Sequence, residues 1–321
     1  MKTPGFWFTP PGLEARLLMP FSLLYQLAGR LRRQRAKPAF SPVPFILVGN
    51  VVAGGAGKTP VVCALAERLQ ARGLRVHLLA KGYGGTLRGP LQVDPTVHTA
   101  REVGDEPLLL ARLAPTFIAK DRAAGLLAAA AGADVVIGDD GLQNPYIKAH
   151  LTLLVMDGVL GTGNGRLIPA GPLREPLVDA LSRVDAVIQI GGPPRSYGNK
   201  PVLLADFHPY GTDWMQGARV IAFAGIGQPE KFFATCTTAG ATLVQALPFP
   251  DHHPYSESEI RQLIALADRE EAILVTTAKD AIRLPASLRD QIRVIEGKTG
   301  WRDENALTGL LDRLFAGYKE P

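Results

Sequence analysis

The run Gly54-Gly55-Ala56-Gly57-Lys58-Thr59 holds the residue types that phosphate chemistry needs. Glycines let successive backbone N–H groups turn inward on a phosphate, and a helix starting there adds the positive end of its dipole. Lys58 supplies a cation for β- and γ-phosphates, and Thr59 a hydroxyl for Mg²⁺. The strict G-x-x-x-x-G-K-[ST] pattern asks for glycine at position 52, where this chain has Val52. A glycine-rich turn with an exposed lysine is the plain alternative. A second run, Val135-Val136-Ile137-Gly138-Asp139-Asp140, is an apolar strand ending in two carboxylates. Mg²⁺ prefers hard oxygen ligands and sits at the carboxyl ends of parallel strands, so Asp139 or Asp140 is the candidate partner of Thr59. Two acids after a strand also make an ordinary turn or helix cap.

The guanine-specific [NT]-K-x-D signature is missing, because Thr277-Ala278-Lys279-Asp280 puts the lysine one place late; ATP is therefore the expected nucleotide. Phosphoryl transfer also needs an acceptor aligned by a base. Gly104-Asp105-Glu106-Pro107 places two acids just before an apolar helix, and Asp251-His252-His253-Pro254-Tyr255 puts two imidazoles in a polar turn. Each has a structural alternative: Asp105 or Glu106 favours a helix N-terminus, and His252 and His253 serve as turn residues or as a metal pair lacking further ligands.

The elements that must position these groups follow an α/β pattern. The spacing predicts strands over Phe45–Val48 and Arg75–Ala80 around a helix Val61–Arg72, one βαβ unit with the glycine-rich turn at its head. Strand-like runs follow at Phe117–Ala119, Asp134–Gly138, Leu151–Met156 and Ala186–Ile190, with a helix over Arg122–Ala131. Gly158–Pro176 reads as a long ordered loop, a length that is uncommon unless the loop binds something. A second unit opens near Ala218, with strands Val220–Ala224, Thr242–Ala246 and Ala272–Thr276, helices Lys231–Ala239 and Ser256–Asp268, and a terminal helix Glu304–Phe315. The expected organisation is a P-loop domain with a doubly wound sheet over residues 41–215 and a smaller α/β domain over 216–321, whose last helix packs back on the first domain. Residues 205–217 join them, either as a linker or as paired strands.

The chain has 321 residues, 46% hydrophobic and 20% charged, which excludes both a disordered polyelectrolyte and a polytopic membrane protein. Its two cysteines, Cys63 and Cys236, build no disulfide framework and fit a reducing compartment. Net charge is +5, yet residues 1–40 hold seven basic side chains (Lys2, Arg16, Arg30, Arg32, Arg33, Arg35, Lys37) against Glu14, so the remaining chain is near neutral at −1. That distribution argues against a nucleic-acid face. Within 1–40, an apolar run from Leu17 to Leu31 is too short and interrupted to span a bilayer, and its charges follow it instead of preceding it as in a secretory signal. A helix from about Phe21 to Arg35, with Pro20 near its first turn, lines up Phe21, Leu24, Leu27, Ala28 and Leu31 above a basic end. It reads either as an interfacial helix on an anionic membrane surface or as a helix packed on the body with solvated arginines.

Taken in order, VGNVVAGGAGKTP, KGYGG, GDEP, GDDGLQNP, GNGRLIPAGPLREP and DHHPY resemble the tetraacyldisaccharide 4′-kinases of lipid A biosynthesis, over about residues 15–285. The resemblance implies ATP- and Mg²⁺-dependent phosphorylation of the 4′-hydroxyl of a tetraacylated glucosamine disaccharide 1-phosphate. It implies a peripheral enzyme on the cytoplasmic face of the bacterial inner membrane, two α/β domains joined by a strand hinge, and no obligate protein partner. It assigns Lys58 and the Gly54–Thr59 loop to ATP, Thr59 with Asp139 or Asp140 to Mg²⁺, Asp105 as general base, and His252 as its partner with His253 as the fallback. Tyr83, Gln143, Arg166 and Arg174 are the residues it suggests for the sugar and its 1-phosphate; a guanidinium fork suits that anion. Two departures stand out: Lys81 where the family has Arg before GYGG, and Ala278 in place of the acid of TEKD, which puts a role for that loop in doubt. The implied docking of a four-chain lipid favours the interfacial reading of the N-terminal helix. Two other classes compete: a membrane-associated switch or partitioning ATPase, which carries a lysine ahead of the paired glycines where Ala53 stands, and a nucleotide-sensing module that binds without turnover.

Overall fold

The computed structural model describes residues 4–318; Lys2 and the last residues of the 216–321 unit lie outside them. Strands with uninterrupted apolar runs, such as Phe45–Gly49 and Leu151–Asp157, are buried on both faces, as a parallel sheet between two helical layers requires. Twelve strands form one sheet, in the order Thr242–Pro248, Arg219–Ala224, Ile273–Thr277, Arg293–Trp301, Val202–Tyr210, Ala186–Ile190, Leu151–Asp157, Phe45–Gly49, Val135–Asp139, Val76–Ala80, Thr116–Ile118 and Leu91–Gln92. All neighbours run parallel except two pairs. One is the antiparallel edge pair of Leu91–Gln92 with Thr116–Ile118; the other is the seam between Val202–Tyr210 and Arg293–Trp301, registered from Ala205 opposite Trp301 to Tyr210 opposite Glu296.

That seam joins the two α/β units into a continuous sheet. Paired strands at 205–217 were one of the two expected readings, and Val202–Tyr210 is such a strand; its partner Arg293–Trp301 carries no clear alternation and was not expected from its sequence. In the second unit, consecutive residues of Arg219–Ala224 alternate between two cores. Ile221 and Phe223 pack with Tyr255, Ile260 and Leu263 on one face, whereas Val220, Ala222 and Ala224 pack with Phe232, Phe233 and Cys236 on the other. The last helix, Glu304–Gly317, buries Leu307, Leu311 and Leu314 against Val61, Leu65 and Leu69 of the first unit. Arg72 reinforces it with a 2.8 Å ion pair to Asp312.

The N-terminal helix differs from expectation. It spans Leu13–Arg35, starting eight residues earlier, and Pro20 lies inside it and not in its first turn. An interior proline removes one helical hydrogen bond, and Pro20 stands on the solvent-facing side of the helix. The face turned to the body is the small one. Ala15 and Ser22, seven residues apart, are buried, and Ser22 Oγ donates to Leu167 O (2.8 Å) and accepts from Ala170 N (3.2 Å). The bulky side chains point away: Leu17 is 66% exposed and Leu24 64%, with Phe21, Leu27 and Leu31 exposed beside them. Among the described residues no helix is long and apolar enough to cross a membrane.

Candidate active site

The phosphate loop leaves the carboxyl end of the central strand Phe45–Gly49 and enters the helix Lys58–Gln70. Its second half needs glycine. Gly57 has φ 79°, and a Cβ there would stand 2.6 Å from Ile190 Cδ1. Its first half does not. Val52 forms a bridge to Leu173, Ala53 N donates to Pro172 O (2.8 Å) and Arg174 N to Val51 O (2.7 Å), so this stretch runs extended against residues 172–174 and position 52 accepts a β-branched residue. The departure from the strict pattern thus has a local cause.

The first turn of that helix carries Lys58 and Thr59 toward the end of strand Val135–Asp139. Thr59 Oγ1 donates to Asp139 Oδ2 at 3.2 Å, and the other oxygen of Asp139, Oδ1, is buried with no hydrogen-bond partner among the described residues. Burial, then the nearby Glu106 charge, pushes the Asp139 carboxyl up to about 7. Asp140 sits next to it in a left-handed conformation, φ 56°, uncommon for a non-glycine residue. Burial would raise this carboxyl too, but Lys58 at 3.8 Å and Arg174, with Nη1 at 3.0 and 3.1 Å from its two oxygens, hold it below its ordinary value. Beneath both acids lies Arg122, the first residue of the helix Arg122–Ala130. It is 4% exposed, it donates weakly to Leu79 O and Asp139 O at 3.4 Å, and its Nε and Nη1 have no partner among the described residues; burial lowers it to about 10.

A second cluster forms where the units meet. Asp105 and Glu106 do not precede the apolar helix but open it, in Asp105–Ala111. Asp105 is buried, and its Oδ2 lies 2.9 Å from His252 Nδ1. His252 occupies a turn with φ 60°, and its ring stands 5.7 Å from that of Tyr83. Lys279 Nζ lies 3.2 Å from Glu106 Oε1 and 3.4 Å from His252 Nε2, and Arg283 Nε lies 3.3 Å from Asp105 Oδ2. Burial alone would raise the Asp105 carboxyl; the His252 hydrogen bond and charge, then Arg283 and Lys279, outweigh it and keep Asp105 below the usual carboxylate range. His253 points elsewhere, onto Glu259 Oε1 (3.0 Å) between the rings of Phe249 and Tyr255.

The four residues suggested for the acceptor separate. Tyr83 is 65% exposed beside His252, and Arg166 is exposed on the 158–176 loop. Arg174 is drawn onto Asp140. Gln143 is committed to the protein, donating to Asn50 O (2.9 Å) and Glu175 Oε1 (3.1 Å), while Glu175 is buried between Arg183 (2.6 Å) and Arg33 (3.6 Å). Sequence reading missed Arg122, Glu175, Lys279 and Arg283. Lys279 and Arg283 carried a signal, since they belong to the Thr277-Ala278-Lys279-Asp280 region whose role the alanine had put in doubt; Arg122 carried none beyond being the head of an alanine-rich helix.

The fold and this arrangement define a P-loop nucleotide-binding phosphotransferase, with a phosphate loop and paired aspartates on one unit and the Asp105–His252 contact closed by the other. The profile of the tetraacyldisaccharide-1-phosphate 4′-kinase family matches residues 14–316, and the chain belongs to that family. It is 51% identical to the tetraacyldisaccharide 4′-kinase of Rhodospirillum centenum, over 99% of this chain and 98% of that protein, and 49% identical to that of Gluconacetobacter diazotrophicus, over 97% and 98%. It is also similar to the crystal structure of LpxK from Aquifex aeolicus in complex with ATP, with TM-score 0.77 and 30% identity over 94% of this chain and 99% of that one. The resemblance drawn from six motifs therefore extends over nearly the whole chain, and the switch-ATPase reading is not favoured.

Proposed function

We propose that this chain transfers the γ-phosphoryl group of ATP to the 4′-hydroxyl of a tetraacylated glucosamine disaccharide 1-phosphate, working as a peripheral enzyme on the cytoplasmic face of the bacterial inner membrane. The observation that carries the reading is the Asp105–His252 pair at the unit boundary, close to the phosphate site: the charge of the adjacent Glu106 acts on Asp139, and a Cβ on Gly227 of the smaller unit would stand 3.5 Å from Gly55 N of the phosphate loop. Backbone N–H groups of the Gly54–Gly57 turn and Lys58 hold the phosphates. Thr59, Asp139 and Asp140 would hold Mg²⁺. The donors are hard oxygens of the kind Mg²⁺ takes, and Asp139 Oδ1 is buried without a partner among the described residues. When bound, the ion neutralises charge on the β- and γ-phosphate oxygens.

Asp105 takes the proton of the acceptor hydroxyl as that oxygen attacks. Its low carboxyl is ionised at neutral pH, and His252 at Oδ2 orients it while the other oxygen faces the acceptor. Tyr83 beside the pair and Arg166 on the exposed loop are offered to the sugar and its 1-phosphate. Gln143 and Arg174 act indirectly, the first tying the 158–176 loop to the strand end at Asn50 and the second holding Asp140. The exposed leucines of Leu13–Arg35, above Arg30, Arg32 and Arg35, give the chain a surface for anionic lipid.

The test is transfer of ³²P from [γ-³²P]ATP to detergent-dispersed tetraacyl disaccharide 1-phosphate by the native chain, Lys58→Ala and Asp105→Ala. Labelled lipid from the native chain, reduced at least ~100-fold in both variants, is the expected result. ATP hydrolysis with no labelled lipid would overturn the reading.

A further inference from the structure

Arg283 reaches from the smaller unit to the carboxylate that the proposed reaction uses as its base. Its guanidinium is 5% exposed and its two terminal nitrogens are fully engaged within its own unit. Nη1 donates to His253 O (3.1 Å), and Nη2 to Gly225 O (3.0 Å) and Asp280 Oδ1 (2.7 Å). Asp280, itself completely buried, is fixed by Gly225 N and Tyr255 Oη, both at 2.8 Å, and by Thr277 Oγ1 at 2.5 Å. The edge left over, Nε, makes no aligned hydrogen bond and lies 3.3 Å from Asp105 Oδ2, the oxygen that also meets His252 Nδ1.

Gly225 and His253 are not arbitrary anchors. His252 N donates to Gly225 O at 3.0 Å, so Arg283 holds the carbonyl that fixes the start of the histidine turn and the carbonyl just after it. It grips both the turn that presents His252 and the carboxylate that His252 serves. Burial of a guanidinium demands a counter-charge, and Asp280 already provides one, so the approach to Asp105 is not needed to keep Arg283 in the core.

We propose that Arg283 is a positioning residue for phosphoryl transfer: it locks the His252 turn and Oδ2 of Asp105 in one frame, so that the remaining carboxylate oxygen meets the acceptor hydroxyl. The inference rests on the reading of Asp105 as the base. The other titratable groups facing Asp105 are His252 and Lys279, with Glu106 next to it in the chain and paired to Lys279. None of these grips both carbonyls of the turn.

Arg283→Lys keeps the charge against Asp280 but loses Nε and the planar fork. With the full chain, ATP and the dispersed lipid acceptor, kcat is expected to fall about 10- to 100-fold with KM for ATP within about twofold of native. The same substitution in an Asp105→Asn background is expected to lower the residual rate less than about twofold, because a residue acting through Asp105 has nothing left to position. Should Arg283→Lys melt below the assay temperature, the charge-neutral pair Asp280→Asn with Arg283→Met is read in the same two backgrounds. A native kcat in a folded Arg283 variant, with Asp105→Asn inactive, overturns this inference alone, as does an equal fold-loss in both backgrounds. Native activity in Asp105→Asn by itself overturns the base reading and the inference with it.

Discussion

His252 Nδ1 lies 2.9 Å from Asp105 Oδ2 although 147 residues separate them, so the pair exists only where the two α/β units meet. Burial works against the ionised carboxylate, and the imidazole, Arg283 and Lys279 work for it; the balance leaves the carboxyl low.

Taking His252 away should therefore let burial win. In His252→Ala the acidic limb of the kcat/KM profile is expected to move to higher pH than in the native chain, together with a fall in rate; a limb that stays in place would show that the imidazole does not tune Asp105. The sign for stability follows from the same shift. A carboxyl lower in the folded than the unfolded chain stabilises fully above its unfolded value, near 3.9, and the benefit is lost as pH falls through the folded value. Asp105→Asn should accordingly narrow the difference in Tm between neutral and strongly acid solution.

Gly57→Ala should damage the phosphate loop for two separable reasons. Its φ of 79° costs a residue with a Cβ about 1–2 kcal/mol, and that Cβ would stand 2.6 Å from Ile190 Cδ1. Urea melts are expected to show a loss of about 2 kcal/mol or more, with ATP affinity down roughly tenfold. Adding Ile190→Val removes the terminal methyl and should recover only the steric part. Full recovery would mean that the backbone conformation carries no cost.

Asp280→Ala should be the most destabilising single change in the smaller unit. It deprives Gly225 N, Tyr255 Oη and the buried guanidinium of Arg283 of their common partner. Breaking one side of a buried ion pair costs about 3–5 kcal/mol. Equilibrium urea unfolding followed by tyrosine fluorescence checks it; a loss below about 1 kcal/mol would show that water replaces the carboxylate.

Replacing Leu17, Leu24 and Leu27 with serine should weaken sedimentation with anionic phospholipid vesicles by at least ~10-fold while leaving ATP binding unchanged, since each leucine contributes up to about 1.5–3 kcal/mol when buried. Changing Arg30, Arg32, Arg33 and Arg35 together to glutamine should also weaken it. That variant is less clean, because Arg33 pairs with Glu175 and Arg32 donates to Gln143 O (2.7 Å), so it also loosens the loop behind the phosphate site. Unchanged sedimentation in the leucine variant would reject docking by this helix.

What local sequence determined was most of what depends on residues near one another in the chain, the start of the N-terminal helix excepted. The phosphate turn, the strand ending in Asp139 and Asp140, and most strands and helices of both units follow from glycine placement, apolar runs and helix periodicity, all short-range constraints on a backbone with few allowed conformations. Motif order was enough to point to the family. Tertiary structure decided what depends on distant segments. The Val202–Tyr210 and Arg293–Trp301 strands are held between partners distant in the chain, each other and the Ala186–Ile190 and Ile273–Thr277 strands, and the small face of Leu13–Arg35 turns inward where Ser22 finds partners at Leu167 and Ala170. Only folding showed that Arg174 belongs to Asp140, that Gln143 is spent inside the protein, and that Lys279 and Arg283 face the Asp105–His252 pair. A side chain's partner across 100 residues or more is set by how sheet and helices pack, and one-dimensional spacing contains no term for that.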